Sequence, residues 1–189
     1  MFFFLTQYLQ NVKGFSPLEA GGAFLPLSLV MFGMVFVVPR LVARFGYGRL
    51  LAGGVLTALA GMAWISQISA GTPYITGIAL PLIVLGAGVG AAFTPLTASG
   101  VAGVAAEDAG AASGLVNVAH QVGGSLGLGV LVTVFASAQP GSLAHAISVA
   151  LTAGTVMMAL ALAVVAAVIL PGWRRADARP LAQPATVSR

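Results

Sequence analysis

The sequence predicts an all-α integral membrane protein with five complete transmembrane helices, and three observations carry that prediction. Of 189 residues, 59% are hydrophobic and only 6% are charged, whereas a water-facing domain carries about 25% charged residues. The mean hydropathy is +1.03. The apolar residues also gather into runs of about 20, the helical length that crosses a bilayer core of about 30 Å. Backbone exposed to lipid must satisfy its own hydrogen bonds, and these runs lack the alternation of barrel strands, so each run is read as a helix.

The first element is the irregular one. Residues 2–12 are apolar, yet eleven helical residues reach only about 17 Å before Lys13 ends the run. This stub is expected to be the end of a longer helix whose earlier residues lie upstream of Met1. On it, Thr6 with Gln10 and Gln7 with Asn11 are spaced four apart, so one face carries amides and a hydroxyl. Gln7 and Gln10 are therefore cavity candidates, although amides at a helix end also suit the membrane interface.

The complete spans follow at 20–39, 50–69, 74–98, 113–136 and 146–170. Short connections at 40–49, 70–73, 99–112 and 137–145 carry glycine, proline and polar breakers. Residues 171–189, with Pro180 and Pro184, are expected to form a disordered tail. If the connections alternate across the membrane, Arg40, Arg44 and Arg49 share a side with Arg174, Arg175, Arg179 and Arg189, and Lys13 stands alone opposite. That asymmetry makes the arginine-bearing side and the C-terminus cytoplasmic. The two basic clusters explain a pI near 10.4 as a topology signal, so nucleic acid is not an expected partner.

Chemistry in such a chain resides in polar residues within the spans, because each is costly in lipid unless it faces a cavity or a partner. Ser113, Asn117, His120, Gln121 and Gly124 fall within about 100° of one helix face. Leu115, Val118, Val122 and Leu126 take the other. The stripe predicts either a cavity wall containing Asn117, His120 and Gln121, or hydrogen bonding to a neighbouring helix. His120 adds a group that titrates near neutral pH. Gly86 with Gly90, and Gly123 with Gly127, are small pairs four apart that let helices approach closely. The run Gly86-Ala-Gly-Val-Gly lies inside an apolar span without a strand–turn–helix context, which excludes a nucleotide loop. Pro81 and Pro95 predict kinks in the same span.

Catalysis is not expected. The chain has no cysteine, its two histidines stand on separate segments, and Glu107 and Asp108 are neighbours that would diverge on a helix, so no metal site, cofactor site or catalytic constellation is predicted.

Two stretches resemble a known family. FFLTQYLQNVKGFSPLEAGG at 3–22, read with FLPLS at 24–28, is similar to the second half of major facilitator superfamily (MFS) exporters. So is GAASGLVNVAHQVGGSLG at 110–127, and both look like the fourteen-helix drug:proton antiporter branch (EmrB/QacA-like). The resemblance covers roughly residues 3–170. It implies the C-terminal six-helix bundle of such an exporter, occupying residues 1–170, with its first helix truncated. It further implies an inner-membrane location, a missing N-terminal half as partner, and small-molecule substrates exchanged for protons. PRLVARFGYGR at 39–49 resembles the cytoplasmic loop motif G-x-L-A-D-R-x-G-R through Leu41, Arg44 and Gly46, with Arg49 beyond it. Pro39 replaces its first glycine, Ala43 its aspartate and Tyr47 its last basic residue. The missing aspartate weakens any charge-relay role, and the arginines also suit plain topology anchoring. His120 stands where relatives often carry arginine, and the acidic residues assigned to coupling lie in the absent half. A non-transporting remnant, or a helical bundle that serves a partner, is the rival expectation.

Overall fold

The computed structural model describes residues 1–138 and 141–169, and every described element is helical. Four helical stretches among the described residues are long and apolar enough to cross a membrane: Pro17–Ile65, Ile75–Val101, Ala106–Ser137 and Leu143–Ile169. The first holds two of the predicted spans. The 171–189 tail, with its four arginines, lies outside the described residues.

Helix α1 covers Phe2–Asn11 and sinks Phe4, Leu5, Tyr8 and Leu9 completely. Its end is tied to the turn before α4: the Tyr8 hydroxyl donates to the Ser69 carbonyl at 2.6 Å and Lys13 Nζ to that of Ala70 at 3.1 Å. A short helix α2, Pro17–Gly22, was not expected from hydrophobicity. Ser16 starts it with a reciprocal capping box, the Ser16 hydroxyl accepting from the Glu19 amide while the Glu19 carboxylate accepts from Ser16.

Helix α3, Leu25–Ile65, counts 41 residues, which would reach about 61 Å if straight. It is not straight. Gly46 has φ 75° and ψ 164°, a backbone region essentially closed to residues with a Cβ. The chain reverses there, so residues 25–45 and 47–65 form two antiparallel arms of about 30 Å each. The expected 40–49 loop is thus corrected to a reversal at one glycine. Arg40, Leu41, Arg44 and Arg49 are helical residues on the ends of the arms.

Helix α4, Leu80–Val101, lies between those arms. A turn of π-helix, Ile75–Ala79, feeds it, with the Leu80 amide donating back to the Ile75 carbonyl. Pro81, which has no amide, falls at the α-helical start where none is needed, and Pro95 sits inside the helix. Glycines set how close the arms come. A Cβ on Gly86 would lie 2.9 Å from the Leu27 carbonyl oxygen, and one on Gly90 2.8 Å from Met34 Cβ, so this face meets the first arm. On the opposite face a Cβ on Gly88 would lie 2.2 Å from the Ala58 amide nitrogen. Gly61 and Gly54 return the approach from the second arm, at 2.6 Å from the Leu85 nitrogen and 2.7 Å from the Ala92 nitrogen.

Helix α5, Ala109–Ser137, follows a tight 3-10 turn at Ala106–Asp108. It starts four residues before the predicted span. Helix α6, Leu143–Val164, continues into a π turn at Val165–Ile169. The core gathers at the end where α1, α3, α5 and α6 meet, around Tyr8, Ile65, Ile147 and Leu151, with Phe4 stacking on Phe135 at 5.5 Å. A smaller cluster of Leu51, Ala92 and Val165 joins α6 to the Gly46 end. The π turn that ends α6 therefore lies at the same end of the bundle as the reversal.

Gly88→Ala should lower thermal stability in detergent, since overpacking against a backbone costs about 1–3 kcal/mol, whereas Gly53→Ala, with nothing within 4 Å, should not. Gly46→Ala should cost a similar amount, about 1–3 kcal/mol, through strain at the reversal alone. Fluorescence-detected unfolding of the three variants separates packing from strain; an unaltered Gly88→Ala midpoint contradicts the close approach.

Candidate functional site

Helix α5 differs from its neighbours in how little of it is covered. Near the α5–α6 turn it packs normally: Leu131 is buried, and it approaches Gly154 of α6. Toward its start it touches α4 around Gly100, where a Cβ would lie 2.4 Å from Val116 Cγ2. Around the Gly100 contact the helices leave a cleft of about 730 Å³ between the second half of α4 and the first half of α5, with Ile169 also lining it.

Three of the five stripe residues, Ser113, Asn117 and His120, face that cleft, and Gln121 and Gly124 do not line it. Positions 113, 117, 120, 124, 127 and 131 share one azimuth at about 100° per residue, so the direction in which Leu131 packs into the core is also the direction of Ser113, Asn117 and His120. All three line the cleft. Opposite them α4 presents Phe93, Leu96, Thr97 and Ser99. The His120 ring meets Phe93 edge to face, with centroids 6.3 Å apart and planes at 89°, a favoured aromatic geometry. Thr97 donates its hydroxyl proton to the Phe93 carbonyl at 3.0 Å and Ser99 donates to the Pro95 carbonyl at 2.8 Å. Asn117 and His120 are exposed, and no hydrogen bond joins either side chain to another described residue. The cleft thus offers an amide and an imidazole, each with donor and acceptor atoms, on one wall and a mostly apolar surface on the other.

The remaining sequence candidates fall elsewhere. Gln121 is exposed on α5 but does not line the cleft. Gln7 and Gln10 are half-buried on α1, where Gln7 accepts a hydrogen bond from the Asn11 amide. Gly123 meets nothing within 4 Å, and Gly127 only the tip of Met157 at 3.5 Å. Among the described residues neither glycine faces another backbone. Arg44 lies 5.3 Å from the Phe45 ring, and Arg40 donates to the Phe36 carbonyl at 2.9 Å. Sequence reasoning missed the α4 wall. Phe93 and Thr97 stand four apart, a signal hidden because that span is apolar on every side.

Phe93 also borders a second cavity of about 420 Å³, to which Met31 and Met34 of the first arm of α3 and Tyr47 of the second contribute. Methionine and aromatic side chains make adaptable apolar walls.

The family model described as Major Facilitator Superfamily matches residues 1–128. The puromycin resistance protein pur8 of Streptomyces alboniger is 38% identical over 189 residues, covering 95% of this chain and 38% of its own length. The cephamycin export protein CmcT of Amycolatopsis lactamdurans is 40% identical over 143 residues, 75% of this chain and 29% of that protein. A tetracenomycin C resistance and export protein of Streptomyces glaucescens is 40% identical over 136 residues, 71% and 25% respectively. The chain therefore spans well under half the length of these relatives.

Because the chain contains no cysteine, single cysteines can probe the cleft. Asn117→Cys and Ser113→Cys should react with a hydrophilic thiosulfonate in membranes at least about tenfold faster than Leu115→Cys and Leu126→Cys, which stand on the exposed apolar face of α5. Equal rates at all four positions contradict a water-accessible cleft.

Proposed function

This chain belongs to the Major Facilitator Superfamily, and on that footing we propose that it is the C-terminal bundle of an efflux permease in the fourteen-helix drug:proton antiporter branch. The bundle is formed by residues 1–170, and 171–189 form a cytoplasmic tail. The rest of the polypeptide supplies the facing bundle, and substrate binds between the two near mid-membrane. The Gly46 end, with Arg40, Arg44 and Arg49, lies on the cytoplasmic side of the cell membrane.

The observation that carries this reading is the partnerless polar face of α5. Asn117 and His120 stand in a membrane-length helix with their hydrogen-bonding groups unspent, although each such group is costly in lipid. A water-filled, substrate-binding space removes that cost. The resistance and export names of the relatives support efflux as the direction of transport, and small amphipathic molecules fit a space with one polar and one apolar wall. In this reading Asn117 orients the substrate by hydrogen bonding, and Phe93 supplies aromatic contact. Gln121, one position round the helix, faces the opposing bundle, as do Gln7 and Gln10 of α1. Uptake of protons drives the cycle, through acidic residues outside this chain.

Two measurements on the complete polypeptide test this. Asn117→Leu should weaken export of at least one compound by about tenfold, the cost of a lost hydrogen bond and a stranded partner, while Val118→Leu on the lipid face should not. Dissipating the pH gradient alone in inside-out vesicles should stop dye export, and export that persists without a gradient excludes antiport. A polypeptide that exports nothing and confers no resistance in a hypersensitive strain refutes the efflux reading itself.

A further inference from the structure

The bundle is fastened together at the end opposite Gly46. Four side-chain hydrogen bonds there join residues 51 to 82 positions apart. Their anchor is the turn between α3 and α4, which closes on itself. The Ser69 amide donates to Thr72 Oγ1 at 2.8 Å, and the Thr72 amide donates back to the Ser69 carbonyl at 3.1 Å. Tyr8 of α1 gives its hydroxyl proton to that same Ser69 carbonyl, and Lys13 reaches the next one, Ala70. The Lys13 ammonium lies 6.0 Å from the centre of the Tyr8 ring, so the two side chains grip the turn together. From α6, Ser148 donates to the Ser66 carbonyl at 2.5 Å. In the other direction Tyr74, just past the turn, donates to the Ala23 carbonyl at 3.1 Å and sets its ring 6.2 Å from that of Phe15.

Residues 8–23 thus cross this end as a strap, tied at its start, its middle and its finish. A segment at the end of a bundle is the natural gate in a protein that opens first to one side of the membrane and then to the other. A gate that swings has few buried contacts and backbone bonds open to water. This strap has the opposite character. Its root on α1 buries Phe4, Leu5, Tyr8 and Leu9 completely, and Ile68, in the middle of the turn, is buried in the same cluster. At the edge of a bilayer each broken tie would strand a donor and leave a carbonyl short of one. We infer that the strap is a permanent clasp. The end of α1, the α3–α4 turn and the start of α6 travel as one body, and this end of the bundle stays closed within itself while access alternates. The inference takes its cycle from the efflux reading, whereas the clasp is made wholly of this chain's own contacts.

Two measurements on the complete polypeptide, freed of any cysteine outside this chain, test the clasp. In the first, Lys13→Cys and Ala70→Cys are joined by a short bis-maleimide in membranes. The pair should cross-link, and export should stay within about twofold of the untreated double variant, whereas a swinging gate would lose at least about tenfold when tied. In the second, Ile68→Cys reports opening through its reaction with a hydrophilic thiosulfonate. Its rate should be the same with and without an imposed pH gradient, and should rise about tenfold or more when Tyr8→Phe and Lys13→Met remove two ties. Failure to cross-link overturns the clasp, as does export lost on cross-linking while the treated single-cysteine variants still export. Faster labelling under the gradient, or an unaltered rate in the folded Tyr8→Phe, Lys13→Met protein, overturns it too, and each of these results leaves efflux intact. A polypeptide that exports nothing in any form refutes the efflux reading instead, and the labelling of Ile68→Cys then decides the clasp by itself.

Discussion

Everything in this bundle is arranged about the seat of α4 between the two arms of α3. In lipid no hydrophobic effect presses helices together, because tails are as apolar as leucine, so association relies on close packing. The chain achieves it by removing side chains where backbones meet. Gly86 and Gly90 open one face of α4 to the first arm, and Gly88 opens the opposite face to Ala58 and Gly54 of the second. That two-sided contact is possible only because Gly46 turns the chain back on itself, and the reversal requires a conformation other residues avoid. The two antiparallel arms and α4 are thereby fixed as one unit.

Helix α5 stands outside this unit and is held at two points, against α6 near Leu131 and against α4 near Gly100. Most of its length is exposed. One side carries Leu115, Val118, Val122 and Leu126 into the surroundings, as a lipid-facing surface should. The other carries Asn117 and His120 toward Phe93. Helix α4, packed through glycines between the two arms, thus supplies the apolar wall, and the more exposed α5 supplies the polar one. Such a division suits a site in which one wall must be positioned accurately and the other must adapt.

How much of this could be read in the sequence depended on whether the signal was periodic. The helical class, the spans and the polar stripe all rest on spacing, and residues 113, 117 and 120 do face one cleft. The glycines illustrate the limit. Gly86, Gly90, Gly123 and Gly127 look alike in sequence, yet among the described residues only the first two meet the backbone of another helix, because spacing gives a face without saying what stands opposite. Gly54, Gly61 and Gly88 pack as closely and escaped notice, since nothing marks a small residue as an interhelical contact in a segment that is apolar all round. Phe93 and Thr97 were hidden for the same reason. Helix α2 was illegible to hydropathy, although its Ser16-x-x-Glu19 cap was a local signal for it.

The reversal at Gly46 bears on the loop motif more directly than its sequence match does. The resemblance rested on Leu41, Arg44 and Gly46, with Ala43 in place of an aspartate. The glycine has a reason of its own, which is the positive φ of the turn. The arginines have another. Arg40 and Arg44 occupy the last turns of the first arm, where unpaired carbonyls leave the helix end negative and a cation is favoured, and Arg40 donates to one of the carbonyls a turn back. Neither role needs an acidic partner. Losing the aspartate therefore leaves the fold of this segment intact, and removes only a role that would have depended on pairing across the reversal.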